Sequence, residues 1–132
     1  MTAHVTTHRL RFNDTDRLGH VNNAVFAVML EQGRSELAIA AGLPVEGAAQ
    51  ALVIVRMELD FVAEMTWPGD VTIETAVAEL GNRSIKLRQR LVCNGAETAR
   101  AATVLVVLDH ATKRAVPLDP AWRQSLARWQ TD

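Results

Sequence analysis

Residues 23–41, NAVFAVMLEQGRSELAIAA, contain neither a proline nor a run of turn-forming residues. Gly42, Leu43 and Pro44 follow at once. Glycine at the C-terminal cap with proline just beyond it is typical of a helix end. The sequence therefore predicts one helix of about 19 residues, roughly 28 Å long.

This helix is apolar on more than one side. Of the 18 residues at 24–41, 12 are Ala, Val, Ile, Leu, Met or Phe. A helix of this kind needs cover around most of its girth. Gly33 lies within its most apolar side and would allow a sheet to approach closely. The residues that cluster there on a helical wheel are Phe26, Leu30, Leu37 and Ala41.

The rest of the chain is typical of strands. Residues 8–13 alternate, with Leu10 and Phe12 on one face, and indicate a first strand. Between the last two long strands, Asn94-Gly95 is a strong hairpin signal. One long helix followed by strands joined by tight turns predicts an α+β fold with an antiparallel sheet. The remaining predictions are strands at residues 52–63, 71–80, 84–93 and 99–109 and a short closing helix at residues 117–130.

Composition limits the possible functions. The 132 residues predict a single domain over residues 1–132, with 48% hydrophobic and 22% charged residues as in ordinary globular proteins. A net charge of -1 argues against nucleic acid as a partner, and no apolar stretch approaches the ~20 residues of a membrane span. No secretory signal is visible at the N-terminus. A lone cysteine, Cys93, excludes an internal disulfide, fits a reducing cytoplasm and is expected as a small buried strand residue.

Many polar residues lie just before the N-terminus of the predicted helix, in residues 13–26, NDTDRLGHVNNAVF. On one interpretation Asn22 or Asn23 caps the helix and Asp14 and Asp16 stabilise the turn before it. On the other, free backbone N–H groups at the helix N-terminus polarise a bound carbonyl beside a carboxylate. A single short segment would then supply both an oxyanion site and a base.

This segment resembles the entry segment of a known enzyme family. RFNDTDRLGHVNNAVF, followed by LEQGRSEL, is similar to that of the hotdog-fold acyl-CoA thioesterases of the 4-hydroxybenzoyl-CoA thioesterase and YbgC-like group. The resemblance implies a hotdog fold, in which a five-stranded antiparallel sheet wraps one long central helix. It also implies homodimers, often homotetramers, with active sites at the dimer interface. Weaker matches are LDF at residues 59–61, WPGD at 67–70, LGNRS at 80–84 and TKRAVPL at 112–118.

The resemblance assigns roles to particular residues. Asp16, the second aspartate of the D-x-D pair, corresponds to the catalytic carboxylate, as nucleophile or as general base. Asn23 corresponds to the residue whose backbone N–H meets the thioester oxygen. His20 and Asn22 match an HVN pattern and are expected to shape the turn or line the substrate pocket. Phe26 stands where the family often has tyrosine, so that a hydroxyl is missing there.

Coenzyme A carries phosphates, and the resemblance places Arg83 and Ser84 at the family's usual phosphate-side position. The stripe of Lys86, Arg88 and Arg90 is more typical of a solvated sheet face. Metal binding is not expected, because His4, His8, His20 and His110 have no second ligand at a zinc spacing. Hydrolysis by a carboxylate and a helix terminus would need no cofactor.

Three functions remain open at this point. The first is hydrolysis of an acyl-CoA thioester. The second is hydration or dehydration of an acyl thioester, which would need a His–Glu pair, for which His20 and Glu31 are the candidates. We instead expect Glu31 in a buried ion pair with an arginine such as Arg34, or with one across a dimer. The third is a non-catalytic dimer that binds an acyl ligand.

Overall fold

A computed structural model describes residues 3–43 and 49–131, and it contains one five-stranded antiparallel sheet and two α-helices. The strand order is β1-β3-β4-β5-β2, which leaves β1 and β2 at the edges. This confirms the predicted α+β fold. The elements are β1 (His4–Arg9), a 3-10 turn (Phe12–Asp14), α1 (Asn23–Ala40), β2 (Gln50–Phe61), β3 (Asp70–Leu80), β4 (Ser84–Cys93), β5 (Ala96–Asp109) and α2 (Pro120–Ala127).

Helix α1 begins and ends where the sequence predicts. The Asn22 side chain caps its N-terminus by accepting a hydrogen bond from the Ala24 N–H. At the other end Gly42 has a φ of 74°, a left-handed conformation that glycine adopts without strain. Pro44 and most of the loop predicted after it lie outside the described residues. Within the described residues, neither helix is long and apolar enough to cross a membrane.

The sheet covers one side of α1. A stripe of five helix residues is buried against its inner face: Phe26, Met29, Leu30, Gly33 and Leu37. On the opposite side Val28 is 60% exposed and Ile39 is 62% exposed. The expected cover around most of the helix is therefore incomplete within one chain, because a five-stranded sheet curves around only part of it.

Gly33 allows α1 to approach the sheet closely, as predicted. A Cβ atom at this position would lie 2.5 Å from the Ile73 Cγ2 atom and 2.8 Å from the Thr75 Oγ1 atom. The space is taken by Gln89, which is only 2% exposed. Its Nε2 group donates hydrogen bonds to the Leu30 carbonyl (2.9 Å) and to Thr75 Oγ1 (3.0 Å), so that the sheet is tied to the helix backbone.

Gly33→Ala is expected to destabilise the protein by about 1 kcal/mol. Overpacking lowers the stability by ~1–3 kcal/mol. The better helix propensity of alanine offsets up to about 1 kcal/mol of that loss. Urea unfolding measures the difference. Ser35→Ala, at an exposed position on the same helix, is the matched control and should change stability by less than ~0.5 kcal/mol. A stabilised Gly33→Ala variant would contradict the close packing.

The first strand differs from its prediction. Strand β1 spans His4–Arg9 instead of residues 8–13, and Phe12, predicted to share a face with Leu10, is 73% exposed while Leu10 is buried. The chain leaves the sheet early because the Asp14 carboxylate accepts a hydrogen bond from the Arg11 N–H at 2.8 Å, which bends it into a 3-10 turn. The closing helix is also shorter than predicted, since Asp119 caps α2 from just before Pro120.

Candidate active site

The loop between the 3-10 turn and α1 is closed at its base. Thr15 and Val21 form an antiparallel bridge, and the Asp16 N–H donates to the His20 carbonyl at 2.8 Å. Val21 is buried, and its N–H donates to the Met65 carbonyl at 2.8 Å. The chain can turn this tightly because Gly19 has a φ of 83°. The residues at the tip of the loop are therefore presented to solvent from a fixed base.

Asp16 lies in this loop with an exposed carboxylate. Its Oδ1 atom accepts hydrogen bonds from the Leu18 N–H (2.9 Å) and the His20 N–H (3.3 Å). Within the described part of the chain its Oδ2 atom has no hydrogen-bond partner. The side chain is thus oriented through one oxygen while the other is free to meet a substrate or a water molecule.

Asp14, two residues earlier, is only 2% exposed and fully engaged. Its Oδ2 atom lies 3.1 Å from His8 Nε2, and its Oδ1 atom accepts from the Arg11 guanidinium at 3.1 Å. Burial works against the charged form, but the hydrogen bonds from the Arg11 N–H, His8 and the Arg11 guanidinium together lower the pKa of Asp14. This carboxylate therefore anchors the turn that precedes the helix.

The N-terminus of α1 lies directly after the loop. The Asn22 N–H donates to the Asp14 carbonyl (2.9 Å), and the Ala24 and Val25 N–H groups donate to Asn22 (both 2.9 Å). Among the described residues the N–H of Asn23 alone finds no acceptor in this stretch, and Asn23 is exposed. Because a helix N-terminus carries partial positive charge, this N–H is suited to hold a carbonyl oxygen that becomes negative.

His20 does not pair with Glu31, the partner that the sequence offered for a hydratase, and instead pairs with Glu64, whose side chain is 74% exposed. Its Nε2 atom lies 3.3 Å from an oxygen of Glu64. Glu31 is exposed and makes no ion pair within the described residues, so the expected buried pair with Arg34 is not found. The reason is positional, since Glu31 lies on the side of α1 that the sheet leaves open.

Phe26 belongs to the core rather than to the surface of the site. It is 3% exposed, and its ring makes an edge contact with that of Phe61 at a centroid distance of 5.2 Å. Phe61, at the end of β2, is 51% exposed. The ring that one chain presents to solvent here is therefore Phe61, with Phe26 behind it.

Arg83 and Ser84 lie far from Asp16 in the same chain. They follow the end of β3, whereas the Asp16 loop lies near its beginning, where Arg9 pairs with Asp70. Strand β3 has 11 residues, which corresponds to roughly 35 Å. Asp16, His20, Asn22 and Asn23 thus lie in one loop and the helix start that follows it, whereas Arg83 and Ser84 lie at the other end of the sheet.

The basic stripe on β4 is largely neutralised. Lys86 pairs with Glu79 at 3.2 Å, and Arg90 pairs with Glu97 at 3.2 Å. This confirms the prediction of a solvated sheet face. Among the described residues, no three His, Cys, Asp or Glu side chains are grouped so that they could hold a metal ion.

A cavity of about 810 Å³, which the sequence did not predict, lies between the second half of α1, the start of β2 and α2. We call it the α1–β2 cavity. Its only sequence signal is a charged residue, Arg34, in the middle of a largely apolar helix. Its walls include Arg34, Ala38, Ile39, Leu52, Ile54 and Trp122.

Comparison with known proteins gives a family. The family model described as "Thioesterase-like superfamily" matches residues 10–129. No curated protein matches the chain.

Several solved structures share the fold over nearly the whole chain. A predicted thioesterase from Bacillus stearothermophilus is 30% identical, with a TM-score of 0.89 and 98% of both chains covered. A thioesterase complexed with coenzyme A and Zn, from Thermus thermophilus, is 29% identical, with a TM-score of 0.84 and 96% of this chain and 92% of that chain covered. Slr0204, a 1,4-dihydroxy-2-naphthoyl-CoA thioesterase from Synechocystis, shares the fold at 17% identity, with a TM-score of 0.87 and 95% and 96% covered.

Proposed function

The chain is a thioester hydrolase of the thioesterase-like superfamily, and we propose that it hydrolyses an acyl-CoA to the free acid and coenzyme A through Asp16. The observation that carries this proposal is that one loop and the helix start after it contain two groups without a hydrogen-bond partner. Asp16 Oδ2 has no partner within the described chain, and neither does the Asn23 N–H at the start of α1. Coenzyme A as the carrier is supported by the Thermus relative, whose structure contains it.

The thioester carbonyl oxygen would accept a hydrogen bond from the Asn23 N–H. As the carbonyl carbon is attacked, negative charge develops on that oxygen, and the N–H and the helix dipole stabilise it. Either Asp16 Oδ2 attacks, forming a mixed anhydride and expelling the CoA thiolate, after which water cleaves the anhydride, or Oδ2 takes a proton from the water that attacks. Both routes yield one acid and one thiol, and both need Asp16 ionised.

Contacts to the loop explain how Asp16 would be positioned. The Leu18 and His20 N–H groups hold Oδ1, so that rotation of the carboxylate is restricted before substrate arrives. His20 and Asn22 would act by shaping this turn. Phe26 would support the wall of the site from behind Phe61. These roles remain predictions, as does membership in the 4-hydroxybenzoyl-CoA thioesterase and YbgC-like group.

We further propose a homodimer formed by antiparallel pairing of β2 with its copy, or a homotetramer built from two such dimers. Strand β2 is an edge strand whose exposed side chains include Ile54, Val55 and Phe61, at 46%, 58% and 51%. An apolar edge of this kind is prone to pair with another strand. The open side of α1, with Val28 and Ile39, is apolar as well.

Such pairing would also complete the site. If two copies of β2 pair about their midpoint, Phe61 of one chain lies near the partner's Gln50. Arg83 lies at that end of the sheet, because Ser84 pairs with Val106 and Val106 with Val53 of β2. The partner's Arg83 and the partner's Ser84 would therefore approach the Asp16 loop, where they could meet the phosphates of coenzyme A.

Val55→Lys is expected to weaken the dimer, because a charge would then lie in the middle of the β2 edge. Val5→Lys is the matched control, since Val5 is 56% exposed on the opposite edge strand, β1. Sedimentation at micromolar concentration should show a wild-type dimer, an unchanged Val5→Lys variant and a shift toward monomer for Val55→Lys. A stable wild-type species of 14.5 kDa would contradict the assembly.

The function is tested by incubating the protein with a panel of acyl-CoAs and a thiol-trapping reagent. Release of free coenzyme A with an equal amount of acid is the expected result. Consumption of an unsaturated acyl-CoA without thiol release would instead indicate a hydratase, and binding without turnover would indicate an acyl-ligand-binding dimer. We also propose a cytoplasmic location, with which the single free cysteine, Cys93, is compatible.

A further inference from the structure

The α1–β2 cavity is largely apolar, and its polar walls include both a cation, Arg34, and an anion, Glu31. With a volume of about 810 Å³, it falls within the ~300–1,000 Å³ range of small-molecule sites. Ile39, Leu52 and Trp122 supply apolar walls. The guanidinium of Arg34 is half-buried among them.

Arg34 is held in place from the core. Its Nη1 group donates to Gln89 Oε1 at 3.3 Å. The Gln89 amide is itself fixed, because its Nε2 donates to the Leu30 carbonyl and to Thr75 Oγ1. Gly33 leaves the space in which this amide lies. The Gln89 side chain is thus buried and held by two hydrogen bonds. It orients Arg34 and accepts from only one of the five donors of the guanidinium.

Within residues 3–43 and 49–131, the remaining donors of Arg34 have no anionic partner. No carboxylate oxygen of the described residues lies within 4.0 Å of the guanidinium. Burial lowers the pKa of Arg34, while the charge of Glu31 opposes that shift from a distance. A hydrocarbon ligand that filled the cavity would displace the water that solvates this guanidinium without replacing its hydrogen bonds, which is unfavourable. A ligand that places a carboxylate there would form charge-assisted hydrogen bonds.

We propose that the α1–β2 cavity receives the acyl group and that Arg34 binds a carboxylate at its far end, so that the preferred substrate is a dicarboxylic acyl-CoA. This inference rests on the proposed thioesterase function and on the β2 pairing. The cavity lies beside Gln50 and Leu52, at the start of β2, and the pairing brings that end to the partner's Asp16. Glu31 also lines the cavity, but it is exposed and makes no ion pair with Arg34 within the described residues, which leaves the guanidinium to the ligand.

The test compares acyl-CoAs of equal length with and without a second carboxylate: adipoyl-CoA with hexanoyl-CoA, and suberoyl-CoA with octanoyl-CoA. For the wild type we expect kcat/KM to be at least tenfold higher for the diacid of at least one pair. Arg34→Gln should lower kcat/KM for that diacid at least tenfold and leave the matched hydrocarbon ester unchanged or faster. Arg114→Gln, an exposed arginine outside the cavity, is the control and should change neither.

Other outcomes overturn the inference in distinguishable ways. Thiol release from the hydrocarbon esters with no preference for the diacids would overturn the role of Arg34 and leave the thioesterase function standing. Equal losses for both members of a pair in Arg34→Gln would do the same. Conversion of the Arg34→Gln variant to monomer on sedimentation would assign Arg34 to the subunit interface instead. No thiol from any of the four esters with wild-type protein would overturn the proposed function itself.

Discussion

Asp14→Asn should lower the free energy of unfolding by about 2–3 kcal/mol at pH 7 while turnover stays close to that of the wild type. The carboxylate is 2% exposed and accepts hydrogen bonds from the Arg11 N–H, from the Arg11 guanidinium and from His8. Hydrogen bonds to charged groups contribute ~1.5–3 kcal/mol, and a buried partner left unsatisfied adds to the loss. Urea unfolding of both proteins measures the difference.

The same substitution should change how stability depends on pH. The folded-state pKa of Asp14 is lowered, so the stability gained from its ionised form is fully present above the unfolded-state pKa of about 3.9. That stability is lost as the pH falls through the still lower folded-state pKa. The stability difference between wild type and Asp14→Asn should therefore shrink as the pH falls below about 4. A difference that persists unchanged into strong acid would show that Asp14 stabilises through packing alone.

The sequence predicted the fold well because its helix pattern and turn signals are local. Asn22 and Gly42 mark both ends of α1, and Asn94 and Gly95, each with positive φ, form the predicted hairpin turn. The first strand was misplaced because its end depends on a tertiary feature. The burial of Asp14 against His8 and Arg11 ends β1 before Phe12, and no alternation of side chains records it.

The site was only partly predictable, for a similar reason. Asp14 and Asp16 are chemically identical in the sequence, and only burial separates the engaged carboxylate from the one with a free oxygen. The sequence alone did not show that Arg83 lies far from Asp16 within one chain. That distance depends on which ends of the strands lie side by side in the sheet. The cavity around Arg34 was missed since its walls come from four separate elements, α1, β2, β5 and α2.

Asp16→Asn is the substitution with the largest expected effect on chemistry. Asparagine keeps the shape, and its side-chain oxygen can still accept hydrogen bonds from the Leu18 and His20 N–H groups, so that the loop should persist. The charge on the free oxygen is lost, and with it the ability to attack the thioester or to take a proton from water. Turnover should fall by about 10² to 10⁴, equivalent to roughly 3 to 5.5 kcal/mol of barrier. Because Asp16 is exposed, stability and assembly should change little.

The most direct measurement is kcat for coenzyme A release from the best acyl-CoA, determined side by side for wild type, Asp14→Asn and Asp16→Asn under conditions where all three remain folded. If Asp16 carries out the hydrolysis, Asp14→Asn retains nearly all of the wild-type kcat and Asp16→Asn loses at least about 99% of it. An Asp16→Asn protein that hydrolyses the ester at a rate near that of the wild type would contradict the assigned chemistry, whatever its stability.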